Sequence, residues 1–291
     1  MDLSGAVPWP REAIPPSPGT AARTWRPALP FELVFVGVTS LFFAFVAFAV
    51  GGLVLGTNPV AMLRQLARPE IRFALQLSLL TSFAVVLASV AVGLPVAFVL
   101  ARMRFFGKAF FDTLLDIPIV LPPLVSGLAL LHIMGADSAL GTLLRAWHID
   151  VIFTPLGIVV AQFFVSAPFF IRAARESMAV IPRSAVEAAS IFGASPWHVF
   201  THVILPMSRN GIVAGVLMAW ARALGEFGAT AMVASCVPFR TETITTAIYM
   251  ETMSGDPSAA TTLAVLLLLF SCCLLVGVRR LARRNNECGC G

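Results

Sequence analysis

The chain has 291 residues, of which 58% are hydrophobic and 12% charged, with a formal net charge of +5. A soluble domain of this length carries about twice that charged fraction and cannot hide so much apolar surface in one core, so the composition excludes an ordinary soluble globule and points to lipid as solvent. The basic excess suits loops beside anionic lipid, and it does not indicate nucleic acid, because Lys and Arg sit between apolar runs rather than among aromatics on one face.

Residues 1–30 hold Pro8, Pro10, Pro15, Pro16, Pro18, Pro27 and Pro30. That proline density predicts a disordered N-terminal tail. It is not read as a signal peptide, since no short apolar stretch follows an early basic segment. Six apolar runs follow, at 31–55, 71–101, 113–134, 151–171, 211–235 and 259–278. Each is close to or above the ~20 residues needed to cross ~30 Å of hydrocarbon as a helix, and too apolar for a barrel strand. Pro118, Pro122 and Pro123 interrupt the third run, which predicts a kinked or partly re-entrant helix. A short C-terminal tail, 281–291, closes the chain. Loops on the side of the termini hold 14 of the basic residues and the opposite side holds Arg64, Arg68, Arg72, Arg145 and Arg240, with Arg222 left inside the membrane. The positive-inside rule then places both termini in the cytoplasm of a multi-pass plasma- or inner-membrane protein. No repeat of 20–50 residues and no appended soluble domain is evident. The five cysteines match no disulfide framework and no zinc pattern; Cys272 and Cys273 read as packing residues, and Cys288 and Cys290 as part of an inert terminus.

The most informative stretch lies between the fourth and fifth runs, at 181–206: IPRSAVEAASIFGASPWHVFTHVILP. Ser184 and Glu187 have capping-box spacing, which predicts a helix starting at Ser184. Gly193 is placed to end it in a left-handed conformation. Ser195 and Pro196 predict a second helix with Ser195 as N-cap, and Leu205-Pro206 is read as its stop. Two readings stand equal on these residues alone: an interfacial helix lying on the membrane, or a docking element for a cytoplasmic partner. Glu187-Ala188-Ala189, Gly193 and Leu205-Pro206 resemble the EAA loop of the permease subunits of ATP-binding-cassette importers. The resemblance implies an all-α membrane protein of six transmembrane helices, the type I importer permease fold, with Glu187, Ala188, Ala189, Gly193, Leu205 and Pro206 coupling it to a separate ATPase. The single lysine, Lys108, sits in Gly107-Lys108-Ala109, so this chain builds no Gly-Lys-Ser/Thr phosphate loop. HExxH and GxSxG are also missing, which leaves intramembrane hydrolysis without visible machinery and the chain without catalytic residues.

The resemblance extends over the second to sixth runs. Asp116-Ile117-Pro118 through Pro123, Phe153-Thr154-Pro155-Leu156-Gly157, Arg240-Thr241-Glu242-Thr243 and Gly225-Glu226-Phe227-Gly228-Ala229-Thr230 are similar to the molybdate and sulfate permeases, the last closest to those for molybdate or tungstate. Ser235-Cys236-Val237-Pro238 departs from that pattern. A pair of such chains, two ATPase subunits using ATP and magnesium, and an extracytoplasmic binding protein that selects the oxyanion are implied. No cofactor or metal is implied in the permease itself. Pathway-lining candidates are Pro122, Gly127, Arg222 and Glu226. Arg222 and Glu226 are four residues apart, so helical geometry puts them on one face, and charges at that depth face a bundle interior or a wet path. A mutually neutralising pair is favoured over an anion site. His132 reads as an interfacial histidine, His198 and His202 as partner contacts, and Trp147 and Tyr249 as members of an aromatic belt. The alternatives are a sulfate or thiosulfate permease built from two different chains, a secondary transporter without an ATPase, and an intramembrane enzyme; no inverted repeat or proton relay supports the second.

Overall fold

A computed structural model describes residues 29–287. The expected N-terminal tail, apart from its last two residues, and Cys288 and Cys290 lie outside them. The chain forms two units, residues 1–52 and 53–291. The first contributes most of α1 (Leu29–Leu55), an apolar helix whose stretch Leu33–Leu55 is long enough to cross a bilayer.

In the second unit, α2 (Pro59–Ala67) starts on Asn58, whose side chain accepts from the Val60 N–H, and leads into the 34-residue α3 (Pro69–Arg102). Next come α4 (Lys108–Val120) and α5 (Pro123–Met134), bent by 114° at their junction. Proline chemistry explains the bend. Leu121 precedes a proline and is extended (φ −64°, ψ 131°), Pro122 is extended too, and Pro123 opens the next helix. At 1.5 Å per residue neither leg reaches ~30 Å alone, so the pair forms either a broken span or a re-entrant loop. The short α6 (Ala139–Ala146) follows, then α7 (Pro155–Ala179). The fourth span was expected at 151–171; Thr154 caps its true start at Pro155, and the helix runs on past the apolar run because Arg172 and Arg175 find acidic partners. After α8 (Arg183–Ile191) and α9 (Pro196–Val199), a π turn (Phe200–Ile204) joins directly to α10 (Leu205–Leu224). The fifth span, expected as one helix over 211–235, therefore comes in two parts, with α11 (Gly228–Ala234) beyond a break. The helices α12 (Ile244–Met253) and α13 (Pro257–Glu287) complete the fold, α13 extending seven residues into the expected tail. No strand occurs among the described residues.

Among the described residues, five helices are long and apolar enough to span a bilayer, six when α4 and α5 count as one span. The centre of the second unit is α7. Phe170, Ile171, Ala174 and Met178 pack with Ala97 and Leu100 of α3, Ala219 of α10, and Val199 and Ile204. Ala161 and Val165 pack with Leu130 of α5 and with Ala229 and Val233 of α11. In lipid this cohesion comes from close contact rather than from water exclusion, and small residues permit it. At Gly93 a Cβ would stand 2.7 Å from Phe170 Cδ1, so a glycine is required where α3 crosses α7. Two buried serines of α3 add polar ties: Ser82 accepts from the Trp220 indole at 3.0 Å, and Ser78 accepts from the Ile244 N–H at 2.9 Å.

Candidate functional site

Residues 180–206 form the most unusual surface outside the spans. Pro182, extended at φ −59° and ψ 140°, starts α8 at Arg183 without a side-chain cap. Ser184 lies inside the helix, so the expected capping box with Glu187 does not form; the proline has already fixed the entry. Past the helix end, Gly193 has φ +80°. The Gly193 N–H donates to Ser190 O at 3.0 Å and the Ala194 N–H to Ala189 O at 3.1 Å, a Schellman closure of α8. Ser195 caps the next helix, its Oγ accepting from the His198 N–H at 3.3 Å.

Leu205-Pro206 does not stop that helix. In the π turn the Leu205 N–H reaches back to Phe200 O, a wider ring that absorbs the register lost to a proline without an N–H. Residues 196–224 therefore run as one helical rod from the loop into the membrane. On the loop, Glu187 and Ala188 are exposed and Ala189 half-buried, beside Val180 (82%), Ile191 (84%), Phe192 (91%) and Trp197 (73%). Four large apolar side chains and a carboxylate left exposed within one short stretch of chain mark a surface made to be covered. His198 and His202 stack with ring centroids 4.0 Å apart on the same stretch. Among the described residues no group of three or more His, Cys, Asp or Glu could hold a metal ion.

The far end of the rod meets the second feature. The α10 helix ends at Leu224, and Glu226 sits in the break before α11 rather than on a continuous helix. It is 1% exposed. Oε1 accepts from the Ala229 N–H at 2.8 Å, holding the start of α11, and Oε2 lies 2.6 Å from Arg222 Nη1, an ion contact outside good hydrogen-bond geometry. The Glu226 carbonyl accepts from Thr245 Oγ1 at 2.9 Å. One residue thus binds α10, α11 and α12.

Of the other pathway candidates, Pro122 is exposed at the α4–α5 bend. Gly127 is buried: a Cβ there would stand 2.7 Å from Met232 Cβ and 2.8 Å from Ala229 Cα, so it serves the contact of α5 with α11 and not an open wall. Near them Ser126, Gln162 and Thr230 are buried with side-chain atoms that have no hydrogen-bond partner. His132 is exposed at the end of α5, as are Trp147 and Tyr249.

Sequence reasoning missed a paired clamp between α4 and α7. Arg172 Nε lies 3.0 Å from Asp116 Oδ1, and Arg175 Nη1 lies 2.8 Å from Asp112 Oδ1. Spacing put two acids at i, i+4 on one face and two bases at i, i+3 on another, but it did not show that the two faces meet.

This geometry has counterparts. Residues 93–287 match the family model of the binding-protein-dependent transport system inner membrane component. The chain is 40% identical over 190 residues to the molybdenum transport system permease protein ModB of Escherichia coli (strain K12), covering 64% of this chain and 83% of the relative. It is 33% identical over 219 residues to the sulfate transport system permease protein CysT of the same organism, covering 75% and 79%. Among solved structures, a chain of a bacterial ABC transporter involved in the import of the acidic polysaccharide alginate superposes with a TM-score of 0.72 at 13% identity, covering 88% of this chain and 96% of that one, which shows a shared fold.

Proposed function

The chain belongs to the family of binding-protein-dependent transport system inner membrane components, and from that premise we propose that it is the permease subunit of an ATP-driven oxyanion importer whose substrate is molybdate or tungstate. The observation that carries the importer reading is the exposed face of the 180–206 loop, where Glu187, Ile191, Phe192 and Trp197 stand uncovered by their own chain. Molybdate is supported by the 40% identity to the molybdenum permease and by Gly225-Glu226-Phe227-Gly228-Ala229-Thr230 at the break of the fifth span. The identity to the sulfate permease keeps sulfate as the second reading.

In this account two copies of the chain line one pathway, with both termini cytoplasmic. An extracytoplasmic binding protein delivers the anion, and two ATPase subunits, which use ATP and magnesium, seat the 180–206 loops. The permease supplies a lever. Closure of the ATPases displaces the loop, and the rod of residues 196–224 carries that displacement to the Arg222–Glu226 break. Glu226 ties the end of the rod to α11, so α11 and the packed α5 move with it. This is a population shift between two packed arrangements biased by nucleotide. Arg222, with 28% of its side chain exposed, adds positive potential beside the path while Glu226 cancels most of it, so the pair lets an anion pass rather than holding it tightly.

The substrate is tested by competition. Labelled molybdate uptake by vesicles carrying the permease, its ATPase and its binding protein is measured with sulfate or tungstate in excess. Competition by tungstate alone supports the proposal; competition by sulfate moves the substrate to sulfate and leaves the mechanism.

A further inference from the structure

Behind the 180–206 loop a cavity of about 690 Å³ opens between the end of α3, the end of α7 and the inner side of α8 and α9. Arg102, Arg104 and Arg183 line it, against the single carboxylate of Glu187. None of the three arginines stands in an ion pair among the described residues. Arg102 donates from Nη2 to Ile181 O at 3.0 Å, and its Nε is buried without a partner. The cavity therefore holds more positive charge than its own residues neutralise. Its remaining wall is largely apolar, with Phe98 and Val199 part of it.

Depth identifies the occupant. With 34 residues at about 1.5 Å each, α3 is longer than the ~30 Å of hydrocarbon, and its apolar run ends at Ala101, which puts Arg102, Met103 and Arg104 at headgroup level. An apolar wall beside several guanidinium groups at that level matches a phosphate ester on an acyl chain: guanidinium forks bind phosphate oxygens two at a time, and basic pockets between spans on the cytoplasmic side take anionic headgroups. We infer that this cavity binds the phosphate of an anionic phospholipid, with Arg104 and Arg183 on its oxygens and Arg102 as a fixed charge behind them. The inference rests on the proposed orientation, in which this end of α3 faces the cytoplasm. A bound headgroup bridges α3 to α8 and stiffens the seat of the loop, so the lipid acts on coupling next to Glu187, which borders both the cavity and the exposed face.

The test uses the purified full-length chain without its ATPase, titrated with phosphatidylglycerol or phosphatidylcholine and read by native mass spectrometry. At least one phosphatidylglycerol is expected to bind about tenfold or more tighter than phosphatidylcholine. The double variant Arg104→Gln/Arg183→Gln, both exposed positions, should lose that preference, and Arg240→Gln in the opposite loop should keep it. An unchanged preference in the double variant overturns the proposal. Displacement of the lipid by millimolar inorganic phosphate would make the cavity a free-anion site instead. Loss of the lipid on adding the ATPase subunits would assign the arginines to acidic groups of that partner. Lipid binding is read without transport, so failure here leaves the importer reading standing, and the converse.

Discussion

Glu226→Gln keeps an acceptor for the Ala229 N–H but removes the charge that balances Arg222. Losing one partner of a fully buried ion pair costs about 3–5 kcal/mol. Here Glu226 is 1% exposed but Arg222 retains 28% of its side chain in contact with solvent or the path, so part of the penalty is relieved. About 2 kcal/mol of destabilisation is expected. Arg222→Gln should cost at least as much, because it strands a carboxylate that has almost no access to water. The double variant should be more stable than the sum of the two, with a coupling of about 1–2 kcal/mol. The assay is reversible unfolding in mixed micelles, with all four proteins at one detergent composition. Additive effects, within about 0.5 kcal/mol, would refute the claim that this pair fastens the break in the fifth span.

Gly193→Ala places a Cβ at φ +80°, which costs about 1–2 kcal/mol locally; membrane insertion should be unchanged while substrate-stimulated ATP hydrolysis in the assembled complex falls severalfold. Gly127→Val forces α5 off α11, and a loss of about 1–3 kcal/mol or more in the same unfolding assay is expected. Glu242, outside the spans, is buried, and burial raises its pKa, with nearby Arg68 opposing the shift and Glu251 and Glu70 adding to it. A carboxyl with a raised folded pKa stabilises the fold below its unfolded value, near 4.3, and loses that stabilisation as pH rises through the folded one. Glu242→Gln should therefore be more stable than the parent at neutral pH and should flatten the decline above the ordinary glutamate range, as read from unfolding midpoints across pH.

The spans were legible because they follow from length and hydropathy alone, and the bend between α4 and α5 because three prolines carry its chemistry. Gly193 and Ser195 were legible for the same reason, since each enforces one local conformation. What failed depended on context. Ser184 lost its cap to Pro182, which fixes the helix entry first. Pro206 did not end a helix, because a π turn ahead of it re-spaces the hydrogen bonds, and no pattern in Phe200–Ile204 announces that turn. The break at Gly225–Phe227 was hidden inside an apolar run, where one glycine is a weak signal against continuous hydropathy. Among the site residues, the Arg222–Glu226 spacing suggested a contact on one helical face, whereas the contact forms across a break. For Gly127, expected beside a path, the structure adds a packing role between α5 and α11 that spacing did not announce. The Asp112 and Asp116 clamp needed a partner 56–63 residues away, which spacing within one helix cannot supply.

On the proposed function, a separate ATPase drives this permease through its 180–206 loop. This is tested most directly in proteoliposomes holding the permease, its ATPase and its binding protein, by following accumulation of labelled molybdate. Accumulation should require ATP and a hydrolysis-competent ATPase, and Glu187→Lys should abolish it with the protein still inserted. Accumulation that persists with a hydrolysis-dead ATPase, or normal uptake by the Glu187→Lys variant, would contradict the account.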